Sequence, residues 1–182
     1  MEQIHKNLWN SAAKPGLALG LVSSVYLFVN QWVTLIDAPV ISGLLSFVLW
    51  AVKFGGCIWL MMFFMKKFVA ENQDAVNSDT FRFGVVTALL SAVVYAAFSF
   101  ANTAYFSADM IAENMDTVMQ AYSQFMDSNT MSQMDKMMGK MPQITFFSNL
   151  IYCFIFGTIL SLILSRNIPS KDPFAASRPD EQ

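Results

Sequence analysis

Two features of the sequence carry side chains with the chemistry of a site: a methionine-rich stretch and a single lysine inside an apolar run. Residues 131–141 read MSQMDKMMGKM, with five methionines in eleven positions. The thioether sulfur of methionine is a soft ligand that selects Cu(I). Met131, Met134, Met138 and Met141 also recur at the spacing of one helix face, which is typical of an apolar packing surface. The stretch is therefore either a segment that captures Cu(I) or a surface that packs against another apolar surface.

The second feature is Lys53, in LWAVKFGGCIW, the one charged residue deep inside an apolar run. A lysine at mid-bilayer costs about 3 kcal/mol, so its side chain should face other helices or a wet cavity. Depth counted from the ends of the apolar runs places several polar side chains at its level: Ser23, Ser24, Tyr26, Tyr95 and Thr158. These residues predict a polar pocket in which Lys53 binds an anionic group or titrates. The alternative is a structural lysine that donates hydrogen bonds to hydroxyls and carbonyls, or one in a span whose boundaries are shifted outward.

The composition indicates the class of protein that contains these features. The chain has 182 residues, of which 55% are hydrophobic and 13% charged, whereas about a quarter of the residues of a soluble domain are charged. The net charge of -2 gives no indication of nucleic-acid binding. Cys57 and Cys153 both fall inside apolar runs, which favours small buried side chains over a disulfide framework.

Four apolar runs are long enough to cross a bilayer, since about 20 residues suffice. Proline at position 15 fits the first turn of the first run, and no Asp, Glu or His occurs in any of the four. The sequence therefore predicts an all-α, polytopic membrane protein whose membrane domain covers residues 15–166. The predicted transmembrane helices cover residues 15–36, 41–65, 81–106 and 144–165.

The distribution of Lys and Arg predicts the orientation, because these residues concentrate in cytoplasmic loops. Eight of them fall in the two terminal segments and in the link between the second and third helices: Lys6, Lys14, Lys66, Lys67, Arg82, Arg166, Lys171 and Arg178. Segment 107–143 has only Lys136 and Lys140, against five acidic residues. We therefore expect both termini in the cytoplasm. Residues 1–14 should form an interfacial segment, and residues 167–182 a disordered tail.

Small residues repeat every four positions on three of the predicted helices. In lipid such stripes let helix backbones approach closely. They predict a compact four-helix bundle, with packing contacts at Gly16, Gly20, Gly84, Ala88, Gly157 and Ser161.

The extracytoplasmic segment is patterned as two amphipathic helices, at about 109–127 and 131–141. Asp109 is a plausible N-cap of the first, and Thr130 with Gln133 resembles a capping box for the second. Their apolar side chains predict a hairpin with an interaction face made of Ile111, Met115, Val118, Tyr122, Phe125, Met131, Met134, Met138 and Met141. The only histidine, His5, lies on the opposite predicted side of the membrane, which disfavours the copper interpretation.

The chain as a whole resembles the bacterial membrane-protein family catalogued as domain of unknown function 4199. The similar stretches are NSAAKPGLALGLVSS, WAVKFGGCIWLMMFFMKKF, FRFGVVTALLSAVV and LILSRNIPSKDPF, together with the acidic, Met-rich and Gln-rich helix pair before the last span. The sequence departs from many relatives after the second span, where MKKFVAENQD supplies only part of a charged cluster. The resemblance implies a small inner-membrane protein with four helices and no established activity.

No constellation of catalytic residues appears, so we expect neither an enzyme nor a cofactor. The sequence favours a structural or interaction component of the cell envelope, whose outer hairpin binds a membrane or periplasmic protein, or a second copy of the chain. The alternative is a small transporter or ion-coupled component with a pocket around Lys53, and the remote alternative is periplasmic Cu(I) capture. The expected partners also include the lipid bilayer and exclude nucleic acid.

Overall fold

The computed structural model of the chain is helical throughout the residues that it describes, which are 2–34, 38–72, 75–122 and 127–168. Six α-helices and one π-helical turn follow one another along the chain. They are α1 (Glu2–Thr34), α2 (Pro39–Glu71), α3 (Asn77–Ala101) with the π-helical turn (Asn102–Phe106), α4 (Ala108–Tyr122), α5 (Ser128–Met138) and α6 (Met141–Asn167). The predicted all-α class is confirmed.

Four of these helices are long and apolar enough to cross a membrane by length and composition, as predicted. The candidate spans are Leu8–Val33, Val40–Glu71, Asn77–Phe106 and Met141–Asn167. Helices α1, α2 and α3 extend beyond the predicted apolar runs by a turn or more at the end formed by residues 2–14, 66–71 and 77–80, whereas α6 extends by less than one turn at either end. Helix α1 continues without a break through residue 14, so the N-terminal segment and the first span form one helix. The interfacial position of that segment stays a prediction, and most of the predicted disordered tail (169–182) lies outside the described residues.

Helix α3 is the centre of the bundle. It packs along its length against α1 on one side and α6 on the other, whereas α2 lies mainly against α1 and contacts α3 and α6 only sparsely. In the most apolar stretch of α2, 6% of residues are buried, compared with 39% in α1 and α3. Three helices therefore form the tight part of the bundle, and α2 is the most exposed of the four long helices.

The close approach of α1 to α3 occurs at two glycines. A Cβ atom built on Gly16 would lie 2.6 Å from Leu90 Cβ, and one on Gly20 would lie 2.6 Å from Val94 Cβ. Both distances are shorter than real carbon contacts, so any larger residue would push the helices apart. Because apolar burial gives no advantage between helices in lipid, this van der Waals contact is what holds them together.

The α3–α6 contact also depends on glycines at the points of closest approach. A Cβ atom on Gly157 would lie 2.5 Å from Ala88 Cβ, and one on Gly84 would collide with Ser161, whose Cβ is 2.8 Å away. Ser161 is fully buried, and its hydroxyl donates a hydrogen bond to the carbonyl oxygen of Phe81 at 2.9 Å. The small-residue stripes thus place α3 against both of its neighbours.

The caps of the two short helices differ from those predicted. Helix α4 begins at Ala108, so Asp109 lies in its first turn instead of capping it. The cap of α5 is Asp127, whose carboxylate accepts a hydrogen bond from the Thr130 backbone N–H at 3.0 Å. The predicted Thr130 capping box is therefore wrong, because Asp127 already satisfies that N–H. The hydrogen bonds from Thr130 also hold the pKa of Asp127 below its ordinary value.

The predicted hairpin of α4 and α5 is not confirmed. Helix α4 contacts the π-helical turn, and no extensive α4–α5 interface exists within the described residues. The first turn of α4 and the end of α5 do border one surface groove, to which Ile111 and Met138 contribute. Helix α5 ends at Met138, and Met141 is the first residue of α6. The methionine-rich stretch is therefore divided between two helices instead of forming one.

The Gly84 contact generates a stability prediction. Gly84→Ala should lower the free energy of unfolding by about 1–3 kcal/mol, since an added methyl group overpacks the α3–α6 contact and displaces the Ser161 hydroxyl from Phe81. Thermal unfolding in a mild detergent measures the change. Gly43→Ala is the matched control, because no atom lies within 4 Å of a Cβ at that position. Equal midpoints for Gly84→Ala and the wild type would contradict the proposed role of this contact.

Candidate functional site

Lys53 lies near the middle of α2 and is half-buried. Its Nζ is 4.7 Å from the centroid of the Tyr26 ring on α1 and 4.8 Å from the centroid of the Tyr95 ring on α3. Both distances lie within the range of a cation–π interaction. The lysine ammonium group is therefore held between the aromatic rings of two helices.

Lys53 makes no ion pair with any carboxylate of the described residues. None of its N–H groups has a hydrogen-bond acceptor among those residues either. An ammonium group has three N–H donors, and the face of an aromatic ring attracts the charge without accepting a directed hydrogen bond as an oxygen does. The charge of Lys53 is thus partly compensated by the rings, while its hydrogen-bonding capacity is left for another group.

A cavity of about 150 Å³ lies beside this ammonium group. Its α2 wall follows the period of one helix face, since the adjacent pair Lys53 and Phe54 lies three or four residues from Trp50 on one side and from Cys57 on the other. The remaining walls come from α1, α3 and α6. Residues from these helices include Leu19 and Ser23 of α1, Ala88, Ser91 and Tyr95 of α3, and Tyr152, Cys153, Phe156, Gly157 and Leu160 of α6.

The lining combines apolar rings with a few polar groups. The hydroxyl of Ser23 lies 3.7 Å from the Cys57 sulfur, and Ser91 and Tyr152 offer further hydroxyls. An apolar cavity of roughly 150 Å³ can hold a molecule of the size of benzene. This cavity therefore has room for a compact group of a few heavy atoms next to the ammonium group.

The cavity reaches the outer surface between α2 and α6. Trp50, Phe54 and Tyr152 line it and are also 49%, 38% and 70% exposed. Phe156 connects these residues across the gap, because its ring centroid is 5.3 Å from that of Phe54 and 6.5 Å from that of Tyr152. Since α2 and α6 otherwise make sparse contact, the cavity opens to the outer surface of the bundle at this aromatic-lined gap.

The structure brings together some of the residues that the sequence placed in a polar pocket and separates others. Lys53 and Tyr95 line the cavity, and Tyr26 contacts Lys53 from the α1 side. Ser24 does not line it: its hydroxyl donates back to the Gly20 carbonyl at 2.8 Å. Thr158 does not line it either. The cause is rotation about the helix axis, since successive residues are about 100° apart. Ser23 therefore faces the cavity, whereas the adjacent Ser24 does not.

Several lining residues were not predicted as site residues. Cys57 and Trp50 lie four and three residues from Lys53 in the sequence, so helical spacing from the lysine would have identified both. Tyr152 and Cys153 belong to α6, and nothing in the sequence sets the rotation of α6 relative to α2. From the sequence, both cysteines were interpreted only as small buried side chains. The structure places both of them in the lining of the cavity beside Lys53.

The predicted outer interaction face is only partly described. Val118 and Tyr122 are exposed, Ile111 and Met115 are half-buried, and Phe125 lies outside the described residues. No contact tests the partner that was expected there.

The four candidate copper ligands Met131, Met134, Met138 and Met141 are half-buried. Met138 and Met141 border the groove beside α4, whereas Met131 and Met134 do not. Met131 is about 10 Å from Met138 along the axis of α5, so a single ion would need sulfurs from well-separated turns. The Cu(I) interpretation stays a hypothesis.

These features define the class: a helical protein with four candidate membrane spans and a lysine-bearing cavity among them. The chain belongs to the family described as protein of unknown function (DUF4199), whose model matches residues 14–166. No curated protein matches the chain, and no solved structure matches it.

The aromatic contacts of Lys53 can be tested by a double-mutant cycle. Combining Lys53→Met with Tyr26→Leu should reveal a favourable coupling of about 0.5–2 kcal/mol in the free energy of unfolding, because each single change already removes the cation–π contact. The cycle of Lys53→Met with Tyr105→Leu serves as control, since Tyr105 is 78% exposed and outside the cavity. A coupling of zero in the Tyr26 cycle would show that the ring does not stabilise the lysine.

Proposed function

We propose that this protein binds an amphiphilic anion within the bilayer, with the anionic group at Lys53. The observation that carries the proposal is the ammonium group of Lys53, which borders a cavity and has no acceptor or carboxylate partner among the described residues. A charged group in the membrane is costly unless it is paired. An anion in the cavity supplies both the missing charge and the missing hydrogen-bond acceptors.

The chemistry of the lining favours an oxyanion such as a carboxylate. Hydrogen bonds between an ammonium group and a carboxylate or phosphate are roughly twice as strong as neutral ones. The hydroxyls of Ser23 and Ser91 border the same space and can donate to further oxygens. This is a binding role, and we assign no catalytic step to these residues.

The shape of the cavity favours a ligand with an apolar tail. About 150 Å³ accommodates the anionic group and a few carbons, while the gap between α2 and α6 leads toward lipid past Trp50 and Tyr152. A medium-chain or long-chain carboxylate fits this arrangement, because its tail can extend through the gap along the aromatic rings. Entry from the bilayer also removes the need for an aqueous path.

The orientation that we propose has both termini in the cytoplasm of a bacterial cell. The beginning of the first candidate span in α1, the end of α2 and the start of α3 meet at one end of the bundle, where Lys14, Lys67 and Phe83 border a common groove. Among the described residues, Lys14, Lys66, Lys67, Arg82 and Arg166 lie on the parts of the four long helices at this end, as expected for the cytoplasmic side of an inner-membrane protein.

Quenching of Trp50 fluorescence offers a direct binding assay. Trp50 borders the cavity, and replacing Trp9, Trp32 and Trp59 by phenylalanine leaves it as the only tryptophan of the four. The probe is octanoate brominated at its last two carbons, since bromine quenches indole fluorescence on contact. The purified full-length protein in mild detergent should show saturable quenching by this probe, and no saturable component with the corresponding brominated alkylammonium.

Substitution of Lys53 then decides the proposal. Lys53→Met should weaken binding of the brominated octanoate at least about tenfold, because losing a charged hydrogen-bond partner costs roughly 1.5–3 kcal/mol. Lys53→Arg should retain part of the affinity, since it keeps the charge. Lys66→Met is the matched control, because Lys66 is an exposed lysine at the end of the same helix. Saturable binding of equal strength in Lys53→Met and the wild type would refute the anion site.

A second candidate function is favoured by the apolar side of α4. Val118 is 42% exposed and Tyr122 is 52% exposed, and within the described residues α4 packs mainly on the π-helical turn. An apolar side left uncovered on a helix beyond the spans is suited to docking a membrane or periplasmic protein, or a second copy of the chain. This role as an envelope component is compatible with the cavity.

Site-specific photo-crosslinking in living cells tests this docking surface. A photoreactive amino acid at Val118 should yield one discrete adduct, because this position lies on the apolar side of α4. The same group at Thr117 should yield far less, since that neighbouring residue lies on the exposed polar side. A doubled mass would identify a second copy, and another mass a different protein. The same diffuse pattern from both positions would exclude a defined partner on this surface.

A further inference from the structure

A second group of cationic side chains, separate from Lys53, lies near the C-terminal end of α2. A groove of about 510 Å³ occupies the end of the bundle where the first candidate span and α3 begin and α2 ends. Its polar rim comes from α1 and α2, and its floor is largely aromatic. The rim consists of Asn10, Ser11, Lys14, Lys67, Glu71 and Asn72, and the floor of Pro15, Phe64, Phe68 and Phe83.

The rim presents two cations on different helices. Lys14 is exposed and has no carboxylate partner among the described residues. Lys67 pairs with Glu71 at 3.8 Å, but both side chains are about 60% exposed, so water competes with this long contact. An anion with several oxygens can contact both lysines at once, which Glu71 alone does not do.

The floor indicates the depth of the groove relative to the membrane. Phe68 and Phe83 are almost fully buried and stack with ring centroids 4.3 Å apart. Trp9 is 55% exposed and immediately precedes the rim residue Asn10, and an exposed tryptophan at the end of a span is typical of the headgroup region. The groove therefore lies where apolar helices meet charged residues, at the level of lipid phosphates.

We propose that this groove binds the phosphate of an anionic membrane phospholipid, with Lys14 and Lys67 contacting the phosphate oxygens. The apolar floor favours a lipid over free phosphate, because acyl chains can continue along the apolar surface of the spans below it. The groove is separate from the cavity at Lys53, because the fourteen residue steps along α2 from Lys53 to Lys67 correspond to about 21 Å. The proposal does not depend on the ligand of that cavity.

Lipid retention by the purified full-length protein tests this site. The protein is equilibrated in mixed detergent micelles that contain equal amounts of phosphatidylglycerol and phosphatidylcholine, and bound lipids are counted by native mass spectrometry. The wild type should retain phosphatidylglycerol preferentially. The double variant Lys14→Gln/Lys67→Gln should lose about tenfold or more of this preference, since each lysine near a lipid surface contributes roughly a factor of five.

Two further variants distinguish binding in the groove from general attraction between the protein's positive charge and anionic lipid, and from loss of folding. Lys66→Gln/Arg166→Gln makes the same change in net charge with exposed residues that do not line the groove, and it should keep most of the preference. Glu71→Gln removes the carboxylate that competes for Lys67, so it should increase the preference severalfold. An equal loss in both double variants would overturn the proposal, as would a decrease in Glu71→Gln.

Inorganic phosphate serves as the second probe in the same experiment. At millimolar concentration it should leave phosphatidylglycerol retention unchanged if the acyl chains contribute to binding. Displacement of the lipid by inorganic phosphate alone would assign the groove to a free anion and overturn the lipid proposal.

Discussion

The close approach of α3 to α1 and to α6 is the contact on which the arrangement of the bundle depends. Between apolar helices in lipid, neither helix gains by leaving the solvent, so association relies on van der Waals contact and hydrogen bonds at short range. Gly16 and Gly20 allow the α1 backbone to approach α3 closely, and Gly84 and Gly157 allow the same close approach between α3 and α6. With both sides of α3 occupied, α2 can pack closely only on α1.

The position of α2 explains why a cavity exists beside Lys53. Because α2 does not pack tightly against α6, the space between them is filled by large aromatic side chains instead of close backbone contact. Rings such as those of Phe54 and Phe156 leave irregular gaps, since planar groups of fixed shape cannot fill every volume between two helices. The lysine side chain extends from α2 into the gap nearest α1 and α3, where its ammonium group contacts the rings of Tyr26 and Tyr95. The same loose packing thus produces the cavity and its opening toward lipid.

The sequence predicts the parts of this structure that are fixed locally. Long charge-free runs specify membrane-length helices because a bilayer excludes unpaired charges and backbone groups, and the structure has four candidate membrane spans that overlap the four predicted runs. Counting residues from the ends of the apolar runs also places Lys53 and Tyr95 at the same depth, as the structure does. The small-residue stripes predict which faces of α1 and α6 meet α3. The sequence does not specify the rotation of α2 relative to α6, which brought Tyr152 and Cys153 to the lysine. It also misplaced the α5 cap, because the capping-box pattern of Thr130 with Gln133 was preferred, whereas the helix begins three residues earlier at Ser128 and is capped by Asp127.

The two rings around Lys53 constrain the kind of ligand that the cavity can take. A cation–π contact compensates part of a charge but leaves N–H groups without acceptors, so the lysine is tolerated without a ligand and still gains from one. A partner carboxylate from the chain would have satisfied the lysine permanently and removed this gain. No such carboxylate reaches it from the described residues, and the exposed lining residues Trp50, Phe54 and Tyr152 lie on the apolar side between α2 and α6. An anion that binds there must therefore arrive with enough apolar surface to dissolve in lipid, and this requirement selects amphiphiles over small hydrophilic ions.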